Sequence, residues 1–318
     1  MAFARASLDD RLTPTHGRSH SRPTHWRRQR ARVFALGLAP ALLVLLLITV
    51  GPTLYLLLTG LTPASPVHPQ SLTDFTHPLV NYRALMGDDE FLNSLWIQAK
   101  LSIVTVVAQL VVGLCVALLL NGRSRFLEAV RTPFMLPMVL PPIVVAVIWK
   151  IIFTPDISPL HHALAAAGLP VHSLIANPDL ALWAIAAADT WEWFPFTMLM
   201  VLAALQMVPN EPIEAARIDG AGPLALFRYI LFPYIRPTLV VAALFRLIDS
   251  IKAFPLIYVL TNGGPGTATE VTNYYAFVEA FNFSYWGYGA AIATLMVAGV
   301  LLLSWLVDRL NPEDALDE

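Results

Sequence analysis

Charged residues are scarce in this sequence of 318 residues: Asp, Glu, Lys and Arg make up 13% of it, against about 25% in an ordinary soluble domain. With 57% of the chain hydrophobic, counting soluble domains by length does not apply, and the composition belongs to the membrane class. Cysteine is scarcer still. Cys115 stands alone inside an apolar run, which excludes an intrachain disulfide and a cysteine-rich metal site and leaves the reading of a small buried hydrophobe. None of the lysines, Lys100, Lys150 and Lys252, follows a glycine in a GxxxxGK[ST] pattern. The chain therefore has no phosphate loop with which to hydrolyse ATP itself. Its net charge of -2, with basic residues segregated beside apolar runs, removes the case for a nucleic-acid partner.

What the sequence does have is length in apolar runs. A membrane helix needs roughly 20 apolar residues, and windows at 33–58, 95–120, 133–153, 179–207, 237–260 and 287–306 meet that requirement. They predict an all-α, polytopic membrane protein with six transmembrane helices. The first window is too long for the core of a cleaved secretory signal and is expected to remain as an anchor. Alternating the windows puts the N-terminal tail, 121–132, 208–236 and the C-terminal end on one side, with arginine counts of eight, three, three and one, while the opposite loops contain only Arg83. The positive-inside rule then makes both ends cytoplasmic. The expected organisation is a disordered basic cytoplasmic tail at 1–32, a transmembrane domain at 33–310 and a short cytoplasmic tail at 311–318. Tyr285, Trp286 and Tyr288 fall at the outer interface. The histidines lie only in the tail and the outer loops, so a buried histidine relay has no support, and the pair His161–His162 makes no case for a metal site.

The cytoplasmic loop from Asn210 to Pro237 reads NEPIEAARIDGAGPLALFRYILFPYIRP. It predicts two short helices joined by a turn. Asn210 can cap the first, Glu211 and Glu214 suit the positive end of its dipole, and Gly220 can take the left-handed conformation that ends it. Pro223 suits the first turn of the second helix, and Pro233 and Pro237 are expected to interrupt the chain before the fifth span. A first helix of about eight residues is about 12 Å long, short enough to enter a cleft on a partner.

Glu214-Ala215-Ala216, then Asp219-Gly220-Ala221, then Phe227, Ile230, Pro233 and Pro237 resemble the EAA loop of bacterial binding-protein-dependent importer permeases. Phe232 stands where sugar permeases usually carry Leu. The resemblance extends to TNGGPGTATE at 261–270, AFVEAF at 276–281 and GYGAA at 287–291, features similar to the carbohydrate-uptake branch, and it covers about 90–310. It implies a coupling helix between spans four and five, with Glu214, Ala215, Ala216, Asp219 and Gly220 docking into a groove of a separate ATPase subunit. It also implies a second homologous permease subunit, two ATP-binding subunits that hold ATP and magnesium, an extracytoplasmic solute-binding protein and a sugar as solute. The setting implied is the bacterial inner membrane, with no cofactor on this chain.

Charges deep in a span are costly and point to a cavity or a partner. Asp189 lies about ten residues from the outer end of span four and Asp249 about twelve from the inner end of span five, so both fall near the middle of a roughly 30 Å hydrocarbon layer. Arg246, Asp249 and Lys252 recur at intervals of three, which makes an Arg246–Asp249 or an Asp249–Lys252 pair available. Near Asp189 stand Trp191, Glu192 and Trp193, flat rings and acceptors of the kind that suit the faces and hydroxyls of a sugar. Two readings stay open for this set: a structural ion pair between spans, or a polar stripe facing a water-filled passage. Pro141-Pro142 and Phe194-Pro195 can loosen the backbone of spans three and four. The competing class is an ion-coupled secondary transporter using Asp189 and Asp249, which calls for inverted repeats that the sequence lacks and leaves the coupling-type loop without a role. An intramembrane enzyme would need a nucleophile or a metal set, and none is present.

Overall fold

The computed structural model describes residues 24–122, 124–168 and 173–310, whose regular elements are all helical. The chain divides into two units, Met1–Leu54 and Tyr55–Glu318. Helix α1 (Thr24–Gly60) begins in the first. Leu38, Leu42, Leu45, Leu46 and Ile48 are all exposed, a helix apolar on every side and so suited to lipid rather than to a soluble surface. It starts inside the stretch expected to be disordered. The reason is local: residues 26–32 read WRRQRAR, and Arg, Gln and Ala are good helix formers. The rest of the expected disordered tail, 1–23, and the C-terminal tail lie outside the described residues.

The second unit opens with α2 (Val80–Met86) and α3 (Asp89–Leu119). Asp88 caps α3 through the backbone N–H groups of Glu90 and Phe91, and it also accepts hydrogen bonds from the hydroxyls of Tyr275, at 2.6 Å, and Tyr288. Partial burial works against the Asp88 charge, but these donors outweigh it and hold the carboxyl below the usual range. Tyr288 is half-buried, whereas Tyr285 and Trp286 are exposed.

The third expected span is not one helix. It is divided among α4 (Arg125–Phe134), α5 (Leu136–Val139) and α6 (Pro142–Phe153), because Pro133, Pro137, Pro141 and Pro142 cannot donate to a continuous ladder. After α7 (Pro159–Ala166) comes α8 (Pro178–Gln206), capped by Asn177 and unbroken through Pro195. Next are α9 (Asn210–Ile218), α10 (Pro223–Leu226) and α11 (Phe232–Ile251). Pro233 and Pro237 do not interrupt the chain as expected. A π turn over Phe227–Leu231, in which the Phe232 N–H reaches back to the Phe227 carbonyl, carries the helix across them. The chain ends with α12 (Pro255–Leu260), α13 (Thr272–Phe277) and α14 (Trp286–Leu310). The fifth expected span is thus two helices, α11 and α12.

Four described helices are long and apolar enough to cross a membrane, Gly37–Gly60, Asp89–Leu119, Pro223–Ile251 and Trp286–Leu306, and α8 with α9, bent by 76°, makes a fifth. Within the second unit α3, α8 and α11 form the centre. Gly113 of α3 sits so close to α8 that a Cβ there would lie 2.6 Å from the Thr197 Cβ, the close approach that small residues permit between membrane helices. Cys115, two residues on, is exposed rather than buried, because the packed face of α3 at that level belongs to Gly113 and Ala117.

Candidate translocation site and coupling loop

Two apolar clusters fill the centre of the second unit, one including Ile97, Leu101, Ala184, Ile185 and Ile257, the other including Ala117, Leu120, Met198, Val201 and Ile235. Between them in sequence, on all three central helices, comes a polar layer. Gln109 of α3 donates from Nε2 to Asp189 Oδ2 of α8 at 2.7 Å and accepts at Oε1 from Arg246 Nε of α11 at 2.8 Å. Arg246 Nη1 reaches Asp249 Oδ2 at 3.2 Å, and the guanidinium lies over the Trp193 ring, 4.4 Å from its centroid. Arg246, Asp189 and Glu192 are buried. Asp249, by contrast, has a side chain 49% exposed, and Glu192 Oε1 is buried without a hydrogen-bond partner.

These groups share one cavity. Its volume is about 180 Å³, and Asp189, Glu192, Trp193, Arg246 and Asp249 line it together with Pro142 and the segment Ala253–Leu256. Larger cavities, of about 270 to 620 Å³, lie elsewhere. The Asp, Lys and Arg residues that line them, Arg83, Lys100, Asp179 and Lys252, are all exposed, so the buried charges single out the cavity at Asp189.

Two of the expected passage residues are elsewhere. Trp191 packs edge-on against Trp149, 5.8 Å between centroids, in the apolar cluster. Lys252 lies in the break after α11, exposed, and lines a different groove with Asn273. Of the two ion pairs that the spacing allowed, Arg246–Asp249 is the one formed.

The cavity exists because α11 stops early. Pro255 lacks an N–H to continue the ladder, and Phe254 before it has left the helical φ, at φ -138° and ψ -50°. The carbonyls freed by the break are satisfied by side chains: Gln98 Nε2 donates to Ser250 O at 3.0 Å and Asn273 Nδ2 to Lys252 O at 3.1 Å. Non-helical backbone at membrane depth is tolerated only where it is buried in protein or lines a water-filled cavity. Gln98 and Gln109 were absent from the sequence reading, which looked for charge. Their signal was a stripe of uncharged polar residues on α3, Ser94, Gln98, Ser102, Thr105 and Gln109, all buried and spaced for one helical face.

The coupling-type loop is built as its residues dictate, with one correction. Asn210 is the first helical residue of α9 rather than its cap, which is Pro209. At the other end Ala221 N–H donates to Ala216 O and Gly220 N–H to Arg217 O, the paired bonds of a Schellman stop, with Gly220 at φ +83°. Glu214, Ala215, Asp219 and Gly220 are exposed and Ala216 is half-buried. Exposed Ile218 and Leu224 flank the turn.

Residues 109–313 match the family described as "Binding-protein-dependent transport system inner membrane component". The chain is similar to the trehalose/maltose transport system permease protein MalF of Thermococcus litoralis, 35% identical over 72% of this chain and 77% of that one. It is also similar to the sulfoquinovosyl glycerol transport system permease protein SmoG of Agrobacterium fabrum, 32% identical over 86% of this chain and 89% of that one. Among solved structures it shares the fold of a chain of a bacterial alginate ABC transporter in complex with an alginate pentasaccharide-bound periplasmic protein, with TM-score 0.78 and 18% identity over 92% of this chain and 98% of that one. The chain belongs to the binding-protein-dependent inner-membrane components, a multi-pass permease subunit of an ABC importer whose ATPase is a separate polypeptide.

Proposed function

We propose that this chain is the membrane subunit through which an ATP-driven importer moves a sugar into the cell. The observation that carries the reading is the broken fifth span, whose freed backbone lines a cavity together with Asp189, Glu192, Trp193, Arg246 and Asp249. A half-exposed carboxylate at membrane depth does not face lipid; it faces water or a partner. The cavity is smaller than the roughly 300–1,000 Å³ of a complete ligand pocket, which supports a second homologous permease subunit supplying the other wall. The printed names of the relatives, trehalose/maltose and sulfoquinovosyl glycerol, and the alginate title support a carbohydrate as cargo.

In this reading the permease domain covers 33–310 with an importer core at about 90–310, and six spans leave both ends in the cytoplasm. The segments α4 to α6 supply the third crossing as a broken helix, and α11 with α12 the fifth. Glu214, Ala215, Ala216, Asp219 and Gly220 form the docking element for one of two ATP-binding subunits that hold ATP and magnesium. An extracytoplasmic solute-binding protein delivers the sugar from the other side. Reporter fusions after residues 32, 126, 220 and 312 are expected to read cytoplasm, and fusions near 75, 165 and 272 the outside. An outside signal at 220 removes the coupling role, because ATP is hydrolysed in the cytoplasm.

A further inference from the structure

The side of α3 turned away from Gln98 and Gln109 carries a different arrangement. Trp96, Lys100, Ile103, Val107 and Val111 are exposed and fall along that one side of the helix. It is apolar apart from a single ammonium. Lys100 Nζ rests over the Trp96 ring, 4.8 Å from its centroid. The two residues line a cavity of about 620 Å³ with Asp179 and Trp183 of α8 and Thr267 of the loop between α12 and α13, and Asn93 Nδ2 ties that loop to α3 by donating to Thr267 Oγ1 at 3.2 Å. The volume lies within the roughly 300–1,000 Å³ of small-molecule sites.

Depth and charge together say what fills it. Gln109 and Asp189 touch across α3 and α8, at a level near the middle of the membrane. Lys100 stands nine residues and Asp179 ten residues nearer the outer ends of their helices, about 14 and 15 Å at 1.5 Å per residue. Half of a roughly 30 Å hydrocarbon layer is about 15 Å, so both charges stand where lipid headgroups begin. Trp96 and Trp183, each 59% exposed, occupy the level of interface rings. A lysine alone at this level is an ordinary interfacial anchor. Here the cavity also holds a carboxylate, and among the described residues neither Lys100 nor Asp179 has an ion-pair partner. Each charge is left open to an opposite one.

We propose that this cavity holds an outer-leaflet phospholipid with a phosphoethanolamine headgroup, its phosphate on Lys100, its ammonium on Asp179 and an acyl chain along Ile103, Val107 and Val111. The headgroup matches the cavity charge for charge. An anionic lipid without an amine satisfies Lys100 but leaves Asp179 facing a phosphate, with no cation of its own. A second permease subunit does not compete for this side, since the polar layer of Gln109, Asp189 and Arg246 lies on the opposite face of α3.

The test is lipid association with the whole importer complex in phosphatidylcholine nanodiscs. Val104→Cys, on the cavity wall, carries a bimane label in a Cys115→Ala background with the other subunits free of cysteine. Leu295→Cys, exposed on α14, carries it as the control. Phosphatidylethanolamine and phosphatidylglycerol, each brominated on its acyl chains, are titrated in, and quenching of the label gives their relative association. At Val104→Cys the ethanolamine lipid is expected to associate about threefold more tightly than the glycerol lipid, the size of an exposed ion pair, and at Leu295→Cys the two are expected to quench alike. Asp179→Asn is expected to remove the ethanolamine advantage, and Lys100→Gln to weaken both lipids. Both residues are exposed, so assembly is expected to hold. Equal association of the two lipids at Val104→Cys, no quenching there, as when another protein covers the cavity, or the same preference at Leu295→Cys overturns the proposal. So does a preference that survives Asp179→Asn, or an association unmoved by Lys100→Gln. Relief of the quenching by free phosphoethanolamine at millimolar concentration also overturns it, because the occupant would then be a soluble ligand.

Discussion

Arg246→Met is expected to lose most of the assembled complex, with a lower melting temperature for whatever is recovered. Methionine fills nearly the same volume, so packing is preserved and the effect is electrostatic. Without the guanidinium, Gln109 Oε1 loses its donor at 2.8 Å, and the buried Asp189 and Glu192 are left with no cation on the cavity. Leaving a buried polar group without its partner costs about 1–3 kcal/mol, more for a charged one, a large share of the total stability of a domain. Arg246→Met combined with Asp189→Leu is expected to recover part of the stability, because it also removes the carboxyl that Gln109 joins to Arg246, and polar partners replaced together by apolar groups of similar shape can be nearly neutral. Transport is expected to stay lost in that double variant, since the polar layer would be gone. Full transport in a stable double variant would reduce the layer to a structural ion pair, and normal assembly of Arg246→Met alone would remove its importance.

Glu214→Lys is expected to cut solute-stimulated ATP hydrolysis and uptake by at least about tenfold, since reversing a charge at a docking surface puts like charges together. Glu214 is exposed, so the melting temperature of the chain is expected to hold. Gly220→Trp reaches the same outcome by a different route. Gly220 sits at φ +83° with nothing within 4 Å of a Cβ built on it, so the turn has room for a side chain but not the backbone tolerance, and the left-handed conformation costs roughly 1–2 kcal/mol for other residues. The strained turn re-aims α9 and the added ring crowds the docking surface. Solute binding to the external receptor is expected to be unchanged in both. Wild-type uptake and hydrolysis in both variants would take the coupling role away from this loop.

The parts legible in the sequence were those decided locally. The stop at Gly220 depends on one residue that takes a left-handed φ and on carbonyls one turn back, and α9 and α10 follow from it. The burial of Asp189 and Arg246 was legible too, because a charge in an apolar run has few places to go. Span boundaries were less so. Proline weighs little in an apolar window, yet Pro255 ends α11 while Pro195 and Pro237 leave their helices intact. The difference is tertiary: Gln98 and Asn273 stand ready to take the carbonyls freed at 250 and 252, and no local pattern announces that. Gln109 escaped notice for a related reason. It carries no charge, and its weight comes from standing between Asp189 and Arg246, residues 80 and 137 positions away. Trp191 and Trp193, two residues apart, face different surroundings, and only the packing of α8 against its neighbours separates a core ring from a cavity ring.

The central claim, that ATP hydrolysis on a separate subunit drives a sugar past the polar layer of this chain, is tested most directly in proteoliposomes. They would hold this permease with its partner permease and ATPase subunits, the binding protein outside and ATP inside. Accumulation of a labelled neutral sugar against its gradient is the measurement. The expected result is accumulation that needs both ATP and the binding protein and persists when proton and sodium gradients are collapsed. Accumulation driven by an imposed ion gradient with no ATP present would contradict the account and return Asp189 and Asp249 to the role of ion-coupling sites.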